Sequence, residues 1–322
     1  MKVMVTGAGA LLGQGIVRSL LESALQPEVL AVGPSPLDQA LYWVPHRALV
    51  PMAADPAYLD VVRRLLAEHR PDAVLIGTDV ELGVFAAHRE ALEAEYRTHI
   101  VVAPPQAVAI ADDKWLTFQF LREHGFAAPA SALPGGEDAL LEQVGFPLVV
   151  KPRVGARSVG MSVVRDRDAL ARAVASLPAP VIQECVATDA DEYTAGTLTF
   201  DGRCDASIVM RRDLRDGNTY RAFVEDFPEL NDQVRRMAEA LGAYGPANFQ
   251  FRLADGVAKV FEINARFSGT TPLRRHAGFN EVEMVLRRVV LGEPVTQPAV
   301  ERLTLLRSWT ETVVRPDELL RP

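Results

Sequence analysis

The sequence Val260-Phe261-Glu262-Ile263-Asn264-Ala265-Arg266 places a carboxylate, a carboxamide and a guanidinium on alternate positions of an apolar run. Side chains of a strand repeat every two residues, so a strand here presents all three groups on one face. Carboxylate and carboxamide oxygens suit a hard cation such as Mg2+, and the planar fork of an arginine suits a phosphate. The alternative is a structural ion pair between Glu262 and Arg266, with Asn264 in a turn.

Length and composition indicate an ordinary globular protein with more than one lobe. The chain has 322 residues, of which 48% are hydrophobic and 24% charged, and its net charge is −8. An acidic balance argues against a nucleic-acid surface and favours a small-molecule partner. The two cysteines, Cys185 and Cys204, belong to no Cys/His cluster, so neither a disulfide framework nor a zinc site is indicated. With no leader-like N-terminus and no membrane-spanning apolar run, we expect a cytoplasmic protein and no membrane partner.

The alternation of short apolar runs with helical patterns over residues 1–105 predicts an α/β domain with a parallel, doubly wound sheet. Pro104-Pro105 ends this unit. A helix is predicted over residues 112–124, with Asp112 or Asp113 as its N-cap and Gly125 in a left-handed conformation after its end. Strands and loops dominate beyond it, with predicted turns at Asp201-Gly202 and Asp255-Gly256.

A glycine turn, Gly7-Ala8-Gly9-Ala10-Leu11-Leu12-Gly13, follows the first predicted strand. Such a turn can cradle a nucleotide, but a dinucleotide site also requires an acidic residue at the end of the second strand. That strand reads Val29-Leu30-Ala31-Val32-Gly33 and has none. A tight strand-to-helix turn near a substrate pocket is therefore the favoured interpretation, ahead of NAD binding.

Basic residues and a polar loop form a second candidate site. Lys151 ends a buried apolar strand and is followed by the loop from Gly155 to Gly160, whose backbone N–H groups and basic side chain suit phosphates. Lys114, at the start of the preceding helix, supplies a second charge for the α- and β-phosphates. A solvated turn after the Lys-Pro pair is the alternative.

A third candidate is the apolar strand Val181–Val186, which is interrupted by Gln183-Glu184. Backbone groups of such a strand can bind an adenine edge, and the nearby carboxylate of Glu192 can accept ribose hydroxyls. A salt-bridged surface glutamate would explain Glu192 equally well.

Taken in order, these motifs resemble those of the ATP-grasp superfamily, most closely its carbamoyl-phosphate-synthase-like branch. The resemblance covers nearly the whole chain, and although single motifs are common, the ordered series is specific. It rests on Asp113-Lys114-Trp115, Phe146–Pro152, Gly155–Gly160, Gln183-Glu184, Glu192-Tyr193-Thr194, Gly245–Gln250 and Glu262–Gly269. It implies a Rossmann-like pre-ATP-grasp domain over residues 1–105, followed by an α+β ATP-grasp fold of two lobes. The small lobe with a phosphate-covering loop would span residues 106–185, the C-terminal lobe with the metal site residues 186–300, and a C-terminal strand or tail residues 301–322.

The resemblance also implies binding of ATP with Mg2+, or Mn2+, between the two lobes. The implied ATP contacts are Lys114, Lys151, Gly155, Ala156, Arg157, Ser158, Gly160, Gln183, Glu184, Val186 and Glu192. Glu184 and Val186 would meet adenine largely through backbone atoms. Glu262 and Asn264, with Gln250 assisting, would hold the metal. Two departures are that Gln250 stands where many relatives have a glutamate, and that Arg153 and Arg157 occupy a lid where relatives often have small residues.

The implied reaction is activation of a carboxylate by ATP as an acyl phosphate, which an amine or ammonia then converts to an amide. Phosphoryl transfer needs positioning and charge neutralisation, for which Arg266, Lys151 and Arg157 are the catalytic candidates. The substrate candidates are Arg211, Arg274 and Ser268, with Thr78-Asp79 and Glu81 on the amine side. A homodimer is the default assembly.

Two alternatives stay open. One is a carbamoyl-phosphate-synthase-like kinase that phosphorylates bicarbonate or a carboxylate without forming an amide. The other is a non-catalytic nucleotide-binding protein, which ranks lower because the metal and phosphate residues Glu262, Asn264, Arg266, Lys114 and Lys151 are all present.

Overall fold

The computed structural model describes residues 1–155, 159–186, 192–254 and 256–321, and within these ranges the chain forms three sheets. The strands are β1 (Lys2–Val5), β2 (Glu28–Gly33), β3 (His46–Leu49), β4 (Ala73–Leu75), β5 (His99–Val101), β6 (Ser131–Ala132), β7 (Leu148–Pro152), β8 (Ser162–Val164), β9 (Pro180–Glu184), β10 (Glu192–Phe200), β11 (Arg203–Arg215), β12 (Asn218–Val224), β13 (Gly245–Ala254), β14 (Val257–Asn264) and β15 (Leu303–Leu306). The α-helices are α1 (Leu11–Leu21), α2 (Tyr58–His69), α3 (Asp79–Tyr96), α4 (Pro105–Asp112), α5 (Lys114–Glu123), α6 (Glu137–Val144), α7 (Arg167–Ala175), α8 (Pro228–Ala240), α9 (Thr271–His276) and α10 (Glu281–Val289). A 3-10 helix spans Gln39–Trp43. In these described ranges, no helix combines the length and apolar character needed to cross a membrane.

The N-terminal sheet has five parallel strands in the order β3-β2-β1-β4-β5. Successive residues of β1 point to opposite faces, and each face is covered by helix. Val3 and Val5 lie in one cluster with α1, whereas Met4 lies in another with α2 and α3. The predicted parallel sheet is confirmed. Strand β3 was not predicted because His46-Arg47 interrupts its apolar pattern.

The N-terminal glycines are explained by close packing. A Cβ atom on Gly13 would lie 2.2 Å from the carbonyl oxygen of Gly7, and one on Gly9 would lie 2.1 Å from a carboxylate oxygen of Asp38. These contacts require glycine without any ligand. They support the interpretation of a tight strand-to-helix turn.

The small antiparallel sheet, in the order β6-β9-β7-β8, surrounds its own apolar cluster with α6 and α7. Asp113 caps α5 by accepting from the backbone N–H of Trp115 at 2.8 Å, and Gly125 follows the helix with φ +73°. Both were predicted. Helix α4 was not predicted, because Pro104-Pro105 indicated the end of a unit. In the structure Pro105 occupies the first turn of α4, where its missing N–H costs no hydrogen bond.

The large antiparallel sheet has the order β14-β13-β10-β11-β12-β15. The predicted hairpin between β10 and β11 is confirmed, with positive φ at Asp201 and Gly202. The second predicted turn involves Asp255, which lies outside the described residues. One face of the sheet packs against α8, and the other meets the N-terminal part of the chain together with α9 and α10. Strand β12 and helix α9 were not predicted.

Arg274 lies in the core between the large sheet and α10, which corrects its assignment as a substrate contact. Its side chain is 1% exposed and forms an ion pair with Glu281 at 3.0 Å. It also donates to Asn248, on the sheet. A Cβ atom on Gly196 would collide with this guanidinium at 2.2 Å, so glycine is required beneath it. The predicted substrate contact is therefore a structural ion pair.

We expect Glu281→Gln to lower the free energy of unfolding by about 3 kcal/mol or more, because a buried guanidinium loses its counter-charge. Urea denaturation followed by circular dichroism measures the change. The control is Asp226→Asn, which breaks the exposed pair with Arg302 and should change stability by less than about 1 kcal/mol. Equal effects of the two variants would contradict a structural role for the buried pair.

Candidate functional site

The pairing of β13 with β14 brings the three predicted metal residues together. Gln250 lies opposite Glu262 in the strand register, and its Nε2 donates to the Glu262 carboxylate at 3.2 Å. Asn264 Nδ2 donates to the same carboxylate oxygen at 3.1 Å. The donor chemistry fits Mg2+, because the carboxylate of Glu262 supplies oxygen ligands directly. Each carboxamide now directs its nitrogen at Glu262 and would supply an oxygen ligand after rotating. Within the described part of the chain no cluster of three or more His, Cys, Asp or Glu side chains offers a competing metal site.

Arg266 links this face to the N-terminal part of the chain. Its guanidinium donates to both carboxylate oxygens of Asp79, at 2.5 and 2.9 Å, and to the Asn264 oxygen at 2.9 Å. Asp79 begins α3, which follows β4 of the parallel sheet. The structure therefore unites the residue predicted for the phosphoryl group with one predicted for the amine side. Glu81 does not join them, because its carboxylate is buried and accepts from Thr6, Tyr58 and Thr78.

Lys151 lies beside the metal residues in a poorly solvated position. Its side chain is 8% exposed, and Nζ is 3.4 Å from the carbonyl oxygen of Phe261. Burial lowers the pKa of Lys151 from 10.5 to about 8, opposed by the charge of Glu262 and assisted by that of Lys114. The amine of Lys151 is therefore close enough to interact electrostatically with the carboxylate of Glu262. Because burying its charge is costly, the amine favours an anionic partner.

Lys114 holds the base of the predicted lid. Its Nζ donates to the carbonyl oxygen of Gly155 at 2.7 Å, and its backbone N–H donates to that of Arg153 at 3.0 Å. Arg153 is itself gripped by both carboxylate oxygens of Asp113, so it is part of the lid anchor. The predicted lid residues Ala156, Arg157 and Ser158 lie outside the described residues, whereas Gly155 and Gly160 flank them with φ of +137° and +74°.

The residues predicted to meet adenine lie at and after the end of β9. The carboxylate of Glu184 is occupied by Lys259 at 2.5 Å and by the backbone N–H of Ala130 at 3.0 Å. Gln183 is buried and donates to Ser131 at 2.9 Å. The carbonyl oxygen of Val186 accepts from Arg252 at 3.3 Å. The backbone N–H of Glu184 donates to the carbonyl oxygen of Ala130 at 2.7 Å, and that of Val186 donates to the carbonyl oxygen of Glu184 at 3.2 Å. Side-chain and backbone groups of these residues are therefore both bonded within the chain, and their contact with adenine stays a prediction.

Arg212 is the site residue that the sequence analysis did not select. It is buried, and one of its Nη atoms donates to Glu192 at 2.6 Å and to the Gln250 oxygen at 2.6 Å. Arg252 forms a second ion pair with Glu192 at 2.9 Å, so this carboxylate has two arginine partners and is largely buried. The guanidinium of Arg212 therefore joins the predicted ribose residue to the metal face.

Two substrate candidates lie elsewhere than expected. Arg211 is on the opposite face of β11 from Arg212, where its guanidinium stacks 3.9 Å from the ring centre of Phe223. Ser268 is buried in the turn before α9, and its hydroxyl is hydrogen-bonded to that of Thr270. In the register of β10 against β11, Arg212 lies opposite Glu192. Knowledge of this register would have identified Arg212, but the sequence alone does not give the register.

Comparison with known proteins relates part of this chain to a described family. The family described as "ATP-grasp in the biosynthetic pathway with Ter operon" matches residues 182–312. The predicted resemblance to ATP-grasp ligases is therefore confirmed.

Particular relatives are carbamoyl phosphate synthase large chains. That of Streptomyces avermitilis is 26% identical over 222 residues, covering 63% of this chain and 20% of its own length. That of Mycobacterium tuberculosis is 26% identical over 253 residues, covering 71% of this chain and 22% of its own. The chain thus spans about a fifth of the length of these relatives.

Solved structures share the fold over a larger part of the chain. An L-amino acid ligase from Bacillus licheniformis superposes with a TM-score of 0.71 at 23% identity, covering 90% of this chain and 74% of that one. A biotin carboxylase from Campylobacter jejuni superposes with a TM-score of 0.74 at 14% identity, covering 93% and 73%. These superpositions show that the chain shares the overall α/β fold of the two solved structures.

We expect Lys151→Met to raise the free energy of unfolding at about pH 7 by about 2–3 kcal/mol, because the desolvated charge is removed. Between the folded pKa of about 8 and the ordinary 10.5, the unfolded wild-type chain binds more protons than the folded one. Wild-type stability should therefore rise with pH across this interval, and the variant should lack this contribution to the rise.

Urea denaturation at about pH 7 and about pH 10 measures both effects. The matched control is Lys2→Met, at a half-exposed pair with Glu28, which should change stability by less than about 1 kcal/mol. A loss of stability in Lys151→Met at neutral pH would show that the lysine is not under strain.

Proposed function

We propose that the chain is an ATP- and Mg2+-dependent, ADP-forming ligase that activates a carboxylate as an acyl phosphate for attack by an amine or ammonia. The observation that carries the proposal is the convergence of Lys151 and Lys114 with the Gln250-Glu262-Asn264 face. Two cations and a set of oxygen ligands at one place match the needs of a metal-bound polyphosphate. The resemblance to ATP-grasp ligases supports the same conclusion.

The two lysines have different duties in this proposal. Lys151, desolvated and already destabilised as a cation, gains most from a phosphate and neutralises charge close to the metal. Lys114 holds the lid base through Gly155 and can exchange that carbonyl for a phosphate oxygen when the lid closes. Lid closure excludes water, to which an acyl phosphate is labile.

At the metal face, Gln250 serves as a positioning residue. Its oxygen is taken by Arg212 and its nitrogen is directed at Glu262, so it orients the carboxylate. Glu262 and Asn264 are then the residues that would hold Mg2+, which supplies charge neutralisation to the phosphates when bound.

The proposed reaction has two group transfers. An oxygen of the carboxylate substrate forms a bond to the γ-phosphorus while the bond to the bridging oxygen breaks, and ADP leaves with that electron pair. The amine then forms a bond to the acyl carbon, phosphate leaves, and the amine loses a proton. Arg266 lies beside Asn264 and stabilises the transferred phosphoryl group if that group displaces Asp79 from its guanidinium.

The same proposal includes the division of the chain predicted from the sequence. Residues 1–105 form the Rossmann-like domain, residues 106–185 the small lobe, residues 186–300 the lobe with the metal site and residues 301–322 the C-terminal strand or tail. Glu192, steadied by Arg212 and Arg252, accepts ribose hydroxyls, and Glu184 and Val186 contact adenine through their backbones. A cytoplasmic homodimer acting on small molecules is the proposed setting.

The experiment that tests the function is a screen of carboxylic acids crossed with amino acids and ammonia, with ADP, AMP and phosphate measured together. ADP and phosphate formed together with an amide are expected. Release of AMP and pyrophosphate with every productive pair would exclude an acyl phosphate. Phosphorylated product without amide would favour the carbamoyl-phosphate-synthase-like kinase instead.

We expect Glu262→Gln to lower kcat for ADP release by about 100-fold or more, because the metal face loses its only carboxylate among these three residues. Binding of ATP without Mg2+, measured by calorimetry, should change little. Glu225→Gln, at an exposed carboxylate on the loop after β12, is the matched control and should keep full activity. Unchanged turnover in Glu262→Gln with Mg2+ as the sole divalent ion would refute the metal assignment.

We further expect the affinity for ATP to fall as the pH rises through about 8, because Lys151 then loses its charge in the free protein. Near this pH, ATP binding should take up a proton, seen as a binding enthalpy that varies with the ionisation enthalpy of the buffer. Lys151→Met should bind ATP more weakly and lose the dependence. Proton uptake that persists in the variant would assign the titration to another group.

A further inference from the structure

A cavity of about 150 Å3 lies between α1, the β11–β12 turn and the segment that follows β15. Its volume corresponds to about five water molecules at about 30 Å3 each, and the cavity is open to solvent on one side, so it can take a ligand the size of an amino acid. Leu11, Tyr220, Pro272 and Trp309 supply apolar walls, and Gln14 supplies a polar one. None of the side chains proposed to hold ATP or the metal lines this cavity.

Three arginines converge on the cavity: Arg18, Arg215 and Arg307. Arg18 donates to the Thr310 hydroxyl at 2.9 Å and lies over the ring of Trp43, at 4.7 Å from its centre. Arg215 lies 5.2 Å from the ring centre of Tyr220.

Arg307 is the most enclosed of the three. It donates to the carbonyl oxygen of Thr219 at 2.9 Å and to that of Gly269. Burial lowers the pKa of Arg307, and the charge of Arg18 lowers it further, so the two guanidinium groups act on each other.

Within the described residues, none of the three arginines forms an ion pair with a carboxylate. Arginines elsewhere commonly do, as Arg302 does with Asp226 and Arg287 with Glu283. The acidic residue on the cavity wall, Asp216, is exposed and forms no ion pair with them. Arginines that lie close together without a counter-charge repel each other, and burial also removes part of their solvation. An anion in the cavity would offset both the repulsion and the lost solvation.

The cavity adjoins the candidate active site. Thr219, on its wall, accepts from Arg212 at 3.2 Å, and Arg212 donates to Gln250 at 2.6 Å. On the other side, Arg307 binds the carbonyl oxygen of Gly269, three residues after Arg266. A ligand anchored in the cavity is therefore held next to the face that would carry the metal and the phosphoryl group.

We propose that this cavity binds the non-reacting carboxylate of a substrate of amino-acid size, with Arg18, Arg215 and Arg307 holding the carboxylate and the apolar walls contacting the body of the molecule. The inference rests on the proposed ligase function, because it assigns the anchored molecule as one of the two substrates. Either an amino acid used as the amine, or a diacid of which one carboxylate is activated, presents this chemistry.

Matched probes separate the carboxylate from the rest of the molecule. L-phenylalanine and L-phenylalaninamide represent the amine side, and succinate and its monoamide represent the acid side. Binding is measured by calorimetry and by tryptophan fluorescence, since the indole of Trp309 lines the cavity and is 89% exposed. We expect the carboxylate member of at least one pair to bind more tightly than its amide by about tenfold or more, as for the loss of a charge-assisted hydrogen bond.

Arg18→Gln and Arg307→Gln should each weaken binding of that carboxylate by about tenfold, while Arg307→Lys keeps the charge and should recover part of the loss. The matched control is Arg302→Gln, on the same C-terminal segment but outside the cavity, which should bind like the wild type. ATP affinity should be unchanged in all four, and unfolding midpoints identify any variant that fails to fold.

Equal binding of both members in each pair, absence of carboxylate binding, or unaltered binding in both glutamine variants would overturn the inference. The pair that responds identifies which substrate carries the anchored carboxylate. Amide formation with equal KM values for charged and uncharged probes would contradict this inference and leave the ligase function intact. Carboxylate binding that depends on the arginines, without ADP release from any substrate pair, would support the carboxylate site and contradict the ligase function.

Discussion

The antiparallel register of β13 against β14 is the constraint on which the candidate site depends. It sets Gln250 opposite Glu262 and leaves Asn264 on the same face two residues later. A shift of one residue would turn these polar groups into the apolar layer formed by Phe249 and Ile263, at a prohibitive cost. The hydrophobic face therefore fixes the register, and the register fixes the positions of the predicted metal residues.

Charge around that face is balanced by a network of alternating signs. Arg212 and Arg252 surround Glu192, while Lys151 is near both Glu192 and Glu262. For Lys151 these charges only partly offset the cost of burial. The ion pairs and hydrogen bonds of Arg212 and Arg252 hold the acidic groups in a defined arrangement before any ligand arrives. Pre-organisation of this kind lowers the reorganisation needed in phosphoryl transfer.

Local patterns in the sequence were sufficient for much of the fold. The period-two run before Arg266 predicted β14, Asp201-Gly202 predicted the β10–β11 hairpin, and Asp113 predicted the start of α5. Helix α4 was missed because two prolines were interpreted as an end, although proline is well tolerated in a first helical turn.

The candidate site was only partly accessible from the sequence, because strand patterns give alternation but not which side of a strand meets which neighbour. Arg211 and Arg212 are adjacent and equally basic, and only the pairing with Glu192 distinguishes them. Arg274 had the composition of a substrate contact, but its partner Glu281 identifies it as a core ion pair. The bond between Arg266 and Asp79 joins residues 187 positions apart, a separation at which no local pattern operates.

That last bond has a consequence for modularity. The segment matched by the ATP-grasp family, residues 182–312, holds the predicted metal residues and Arg266 but lacks Asp79, Lys114 and Lys151. If it were moved alone into another protein, the predicted metal residues would lack both lysines, and Arg266 would lack its carboxylate partner. The complete candidate site therefore requires the N-terminal sheet, α5 and the small antiparallel sheet together with this segment, and recombination between them would divide the site.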